Sequence, residues 1–161
     1  MHVHNSGSQA LEKGDLVCLA GGYQQNVLGE DDSEPLVNVQ KANAGNSQAV
    51  FGVVQYKVYI REEVEELEEE TIITKSFRHA DGSAGFGEYL SVVVLGPADV
   101  KIASGEDIKV GEAIAAADGV ARKVRTTEIN GITIAENTGI VGKALENANG
   151  SGKLKVFVNC R

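Results

Sequence analysis

The chain predicts an all-β protein, a small β-barrel or β-sandwich with an internal repeat and at most one short helix. The first observation is a strand grammar used twice. Glu12-Lys13-Gly14-Asp15-Leu16-Val17-Cys18-Leu19-Ala20 and Ile108-Lys109-Val110-Gly111-Glu112-Ala113-Ile114-Ala115-Ala116 each run from a turn glycine through an acid into a short apolar strand. Each is followed, about 30 to 40 residues on, by an apolar strand with a central glycine, Val50-Phe51-Gly52-Val53-Val54 and Ile140-Val141-Gly142-Lys143-Ala144-Leu145. The second observation is composition: 161 residues with 19 Gly, 2 Pro and no Trp, rich in Val and Ala, which suits many short strands and tight turns. The third is a hairpin signal, Asn130-Gly131 between β-branched residues.

Taken in order, residues 1–11 read as a flexible polar arm and 12–161 as the β-domain, with sub-repeats 12–60 and 100–161 around an insert, 61–99. Leu16–Ala20 is the first strand, turned by Gly21-Gly22. Tyr23–Pro35, with Glu30-Asp31-Asp32, is a loop. Leu36–Val39 alternates as a strand, Ala42–Ser47 is a loop, and Ala49–Ile60 is a long β-branched strand. Seven of the nine residues from Glu62 to Glu70 are Glu, and Ile60, Val64 and Leu67 fall on one helical stripe. A short surface helix is therefore expected there, with an acidic loop or strand extension as the rival. Thr71–Thr74 is a strand, Phe77–Gly87 a glycine-rich loop, and Tyr89–Leu95 a strand broken by Gly96-Pro97. Asp99–Ile102 alternates before a turn at Gly105. The second repeat then supplies Ala113–Ala116, a turn at Gly119, a polar strand Ala121–Thr126, the Asn130-Gly131 hairpin and Ile140–Leu145. A turn at Asn149–Gly152 precedes the closing strand Leu154–Val158.

The net charge of −8 disfavours nucleic acid and anionic membranes as partners, and it suits a basic protein surface. Few aromatics leave few stacking platforms for glycans or single strands. No apolar run is long enough for a transmembrane helix, and the first residues do not read as a signal peptide. Cys18 and Cys160 lack metal-ligand spacing; they read as two small buried residues or as a disulfide joining the chain ends or two subunits.

Candidate chemistry is sparse, and the expectation is no enzyme, no cofactor and no metal. His79, Asp81 and Ser83 crowd one loop, but triad members converge from distant segments. Gly82–Gly87 lacks the Lys-Ser/Thr ending of a phosphate loop. His2 and His4 could hold a transition metal weakly, and the acid clusters lack the spacing of a Ca²⁺ loop. The interface candidates are the acid run Glu62, Glu63, Glu65, Glu66, Glu68, Glu69 and Glu70, and a basic run, Arg122, Lys123 and Arg125, which would accept it across a subunit boundary.

The ordered segments Val100–Ile102, Ile108–Ile114, Ile140–Glu146 and Gly152–Asn159 resemble the C-terminal β-domains of phage tail-fibre-like and large bacterial surface proteins. They also resemble the small capsid decoration (cement) proteins of tailed phages, which open on a Gly-Asp strand as Gly14-Asp15-Leu16-Val17 does. The likeness covers 100–159 well and 12–54 loosely. This chain departs from it at Arg61–Glu70 and Phe77–Gly87. What the resemblance implies is a homo-oligomer, often a trimer, that coats or extends a larger assembly such as a capsid shell. The expected function is therefore a non-enzymatic, self-assembling structural protein of a virion or extracellular appendage, with the major capsid protein as a further partner. The first eleven residues would donate a strand to the next subunit. The alternatives are an adhesive or glycan-binding module, which Tyr23, Tyr56, Tyr59 and Tyr89 on one face would favour, and an autoprocessing fibre domain.

Overall fold

Two five-stranded barrels of the same topology account for ten of the thirteen strands among the described residues. The computed structural model describes residues 1–24, 27–28, 35–68 and 70–160. The acids Glu30, Asp31, Asp32 and Glu69 lie outside them. The strands are β1 (His2–Asn5), β2 (Leu16–Gln24), β3 (Leu36–Lys41), β4 (Val50–Leu67), β5 (Glu70–Ala80), β6 (Tyr89–Val93) and β7 (Leu95–Ile108). They continue with β8 (Ala113–Ala117), β9 (Val120–Lys123), β10 (Thr126–Ile129), β11 (Ile132–Ala135), β12 (Ile140–Ala144) and β13 (Ala148–Asn159). The one helical element described is a 3-10 turn, Ser47–Ala49, so the all-β expectation holds.

The first barrel runs β2-β3-β1-β6-β4, with β4 returning to β2; the second runs β8-β9-β7-β13-β12, with β12 returning to β8. The order is the same, and so is the register. Leu16, Val17 and Cys18 face Val53, Gly52 and Val50, while Ala113, Ile114 and Ala115 face Lys143, Gly142 and Ile140. Gly14 N donates to Val54 O at 2.9 Å, and Gly111 N to Ala144 O at 2.8 Å. Inside the first barrel pack Val3, Val17, Val39, Val54, Leu90 and Val92; inside the second, at the same positions, pack Val100, Ile114, Ala121, Ala144, Leu154 and Val156. Side chains alone fill barrels this narrow. The glycine at the centre of each repeat is explained by one close approach. A Cβ at Gly52 would lie 2.9 Å from the carbonyl oxygen of Val93, and one at Gly142 would overlap that of Phe157, the residue in the corresponding place.

The repeat is thus longer than sequence periodicity suggests, because β1 corresponds to β7 and β6 to β13. Residues 1–11 are not a flexible arm. β1 lies antiparallel to β6 and parallel to β3 within its own barrel, and Val3 is fully buried. The side-chain amide of buried Asn5 donates to the carbonyls of Gln9, Ala84 and Gly85, which ties the segment after β1 to the body of the barrel. Other expectations are corrected by strand pairing. The segment Ile60–Leu67 is strand, not helix: Val64 meets Ile73 across the ladder, whereas a helical stripe would have had no surface to cover it. Residues Phe77–Ala80 continue β5 instead of opening a loop. Gly96-Pro97 does not break the chain, since β7 pairs with β13 there while β9 joins it only at Ile102, so proline's missing N–H faces no partner strand. Gly21-Gly22 and Gly105 stand within strands at register shifts, and Asn149–Gly152 lies inside β13. Asp118-Gly119 and Asn130-Gly131 do form hairpin turns, each with both residues at positive φ.

The two cysteines are both free thiols, one per barrel, so no bridge joins the chain ends. Cys18 Sγ lies 3.8 Å from Gln40 O and Cys160 Sγ 3.9 Å from Val141 O.

Gly142→Ala is expected to destabilise the protein by more than about 3 kcal/mol, because the overlap is with backbone that cannot rotate away. Urea unfolding followed by far-ultraviolet circular dichroism checks it; an unchanged midpoint would contradict the assigned register.

Candidate functional site

The barrels meet through the outer face of β2 and β4. Leu16, Ala42, Val50 and Val53 point away from the first interior and are buried in one cluster with the core of the second barrel. Each Val or Leu side chain removed from water in this way contributes roughly 1.5–3 kcal/mol. A polar seam borders that apolar patch. Lys101 N donates to Gly14 O at 2.9 Å, and Ala44 N to Asp118 Oδ1 at 3.1 Å. The Asp15 carboxylate is 1% exposed; it accepts from Glu12 N at 2.8 Å and from Lys101 Nζ at 2.7 Å, with Lys41 Nζ at 3.2 Å. Lys101 also donates to Glu12 at 2.9 Å. Burial pushes the Lys101 ammonium pKa down, but its bonds to the Asp15 and Glu12 carboxylates outweigh this and leave it raised. Lys13–Asp99 at 3.3 Å closes the outer edge.

The second site is a ribbon. Beyond Val58, β4 leaves β6 and pairs only with β5, from Tyr59↔Arg78 to Leu67↔Glu70. Residues of one face alternate with those of the other. One face carries Glu62, Val64 and Glu66 with Ile73 and Lys75; the other carries Glu63, Glu65 and Leu67 with Ile72 and Thr74. Val64, Leu67 and Ile73 are each more than half exposed and Ile72 is 42% exposed. Within the ribbon Glu62 pairs with Lys75 at 2.9 Å and Glu63 with Arg61 at 3.0 Å, while Glu65, Glu66, Glu68 and Glu70 stand exposed. The base is aromatic: the Phe77 ring packs tilted against His2 at 4.4 Å and edge-on to Tyr89 at 5.8 Å, and Tyr89 packs tilted against His4 at 5.6 Å.

The basic run sits in the other barrel, and its members are engaged there. Arg122 forms a two-pronged pair with Glu136, Nη1 to Oε2 at 2.7 Å and Nη2 to Oε1 at 2.6 Å. Lys123 Nζ pairs with Glu112. Arg125 is exposed and its backbone N–H points to Glu136 Oε2 at 3.4 Å. Among the described residues, the acid and basic runs therefore do not meet within one chain.

The other candidate residues have structural surroundings. His79 lies edge-on to the Tyr56 ring at 4.7 Å. Ala84, in the glycine-rich loop, exchanges two backbone hydrogen bonds with Leu11. His4 Nδ1 lies 2.9 Å from Asn38 Oδ1 and His2 packs tilted against Phe77, so both imidazoles have partners. Burial raises the Cys18 thiol pKa and pushes Cys160 up to about 11, away from thiolate chemistry. Tyr56 and Tyr89 are half-buried in ring contacts, and Tyr59 and Tyr23 are exposed. The Asp15–Lys101 seam escapes sequence reading except for one signal, the acid after the turn glycine in each repeat; Lys41 and Lys123 stand at matching ladder positions, opposite Val17 and Ile114.

Comparison with protein-family models, with curated proteins and with solved structures returns no match.

Asp15→Asn should cost about 2–4 kcal/mol, since it leaves two lysine ammonium groups at the seam without their shared carboxylate; chemical denaturation measures it, and a change under about 0.5 kcal/mol would contradict the seam's role. Acid should also weaken the fold in a defined window. The bonds from Arg122 hold the Glu136 carboxyl below its ordinary 4.5, and the bond from Lys57 does the same for Glu88. With the folded pKa below the unfolded one, their stabilisation is complete above about pH 4.5 and is lost as pH falls through the folded values. Glu136→Gln should flatten part of that decline in a melting-temperature series.

Proposed function

We propose that this protein is a non-enzymatic structural subunit that works by association with its own copies, as a decoration layer on a viral capsid or as a piece of a virion or extracellular appendage. The observation that carries this reading is the β4–β5 ribbon. A two-stranded ribbon alone in water is marginal, and this one exposes Val64 and Ile73 on one face and Leu67 and Ile72 on the other. Its surface makes sense when a neighbour covers it. The glutamates set the chemistry of that neighbour, a surface carrying Lys or Arg, and they keep the free arm soluble and unpaired until it meets one. The paired barrels suit the same task, because a rigid seam holds the arm at a set distance from whatever the second barrel touches.

On this reading the partner is another copy of the chain and, in a shell, the major capsid protein beneath it. Association has a polar and an apolar part. Salt screens the first and not the second.

Light scattering tests this. The intact protein should run as a discrete oligomer or an open filament, with the equilibrium weakened by high salt. Replacing residues 61–76 by a short turn should shift the mass toward a single chain without loss of barrel circular dichroism. A strict monomer over the full concentration range would refute the proposal.

A further inference from the structure

The face of the first barrel that the second barrel covers has a counterpart on the second barrel, and that counterpart is open. Ladder positions define it. Where the first barrel has Leu16, Ala42, Val50 and Val53, the second has Ala113, Val124, Ile140 and Lys143. The first set is buried in the inter-barrel cluster. The second lines a groove of about 780 Å³ that also takes in Val110, Leu145 and Phe157, which are 62%, 44% and 45% exposed. The polar border is repeated as well. Glu112 stands where Asp15 does, accepting from Lys109 N at 2.8 Å as Asp15 accepts from Glu12 N, and it holds Lys123 as Asp15 holds Lys41. Among the described residues it has no counterpart of Lys101, which reaches Asp15 from the neighbouring barrel.

We infer that this open β8–β12 face takes a second copy of the chain, docked head to tail by its N-terminal barrel. Two observations choose that occupant. The first is continuity: an equivalent face in the same fold is already an interface with a barrel of the same topology. The second is charge. Residues 1–94 hold 6 Lys and Arg against 15 Asp and Glu, net −9, and residues 95–161 hold 9 against 8, net +1. Contact between two N-terminal barrels is repulsive, whereas N-terminal on C-terminal is not. The one basic replacement in the face follows from this. Val53 packs against the near-neutral half of the chain, but its counterpart is Lys143, and the half that would meet Lys143 carries the acidic ribbon, rooted beside β1 through the Phe77–His2 contact. A contact that joins two different faces propagates into a ring or a filament. The inference rests on the self-association proposed above and names the surface that carries it.

The test uses three full-length proteins and sedimentation velocity, with circular dichroism confirming that each is folded. Phe157→Glu with Lys143→Glu alters two exposed side chains of the face and should remove the oligomer. The ribbon replacement leaves the face intact and should also sediment as a single chain. Mixed together, these two half-competent proteins should give a 1:1 complex of twice the chain mass that grows no further, because one supplies the N-terminal barrel and the other the open face. If the wild type assembles and the double variant assembles as well as it does, this docking is wrong while self-association stands. A face variant that is monomeric but forms no complex in the mixture would overturn head-to-tail contact in favour of like faces meeting. A monomeric wild type would overturn both inferences.

Discussion

The buried carboxylate of Asp15 at the seam is the interaction on which the architecture turns. It is held by the turn of its own barrel through Glu12 N and by Lys101 from the other, so it couples the closure of one barrel to the docking of the next. Around it the apolar residues Leu16, Val50 and Val53 leave water only if the second barrel is in place. A five-stranded barrel has a small interior, and a chain of this size gains stability by sharing a surface between two of them. The seam provides rigidity as well as stability, because a two-point lysine bridge and a backbone hydrogen bond fix the angle that apolar contact alone would leave loose.

Duplication explains how one strand grammar serves two ends. The same turn, acid and glycine recur because the same cross-strand carbonyl approaches Gly52 and Gly142, and the same backbone turn needs capping by Asp15 or Glu112. What differs is what lies outside each barrel. The first carries the long ribbon between β4 and β6, and the second carries the short β10–β11 hairpin between β9 and β12. The two barrels thus differ in their additions and on their outer faces, while the matching interior positions are Val, Ile, Leu or Ala in both. The proposed function uses the parts in which the barrels differ.

The β class, the repeat and the hairpins at Asp118-Gly119 and Asn130-Gly131 were legible, because turn glycines and β-branched alternation are local signals. The extent of the repeat was not. β1 is four residues long and polar at His2 and Asn5, so nothing local marks it as the counterpart of β7; only its long-range pairing with β6 and β3 does. The acid run misled for a related reason. Glu favours helix intrinsically, and Ile60, Val64 and Leu67 fit a helical stripe, but the facing segment Thr71–Ser76 supplies a β-branched ladder that local propensity does not see. Of the two readings open for the cysteines, the chain holds both as free thiols, Cys18 buried and Cys160 partly so. Of the candidate site, the acid run was found and its form was not; the seam left only the repeated acid after each turn glycine as a signal, and the open face left none, because both are defined by ladder positions instead of by residue type.

Hydrogen–deuterium exchange of the intact protein across a concentration series addresses the central claim most directly, since it reads every surface at once. The account predicts that amides of the ribbon, Tyr59–Arg78, and of the open face, Val110–Ala113 and Lys143–Leu145, exchange more slowly as concentration rises. Those of the β10–β11 hairpin should not change, and those at the Gly14–Lys101 seam should be protected throughout. Exchange that is independent of concentration at both the ribbon and the face would contradict it.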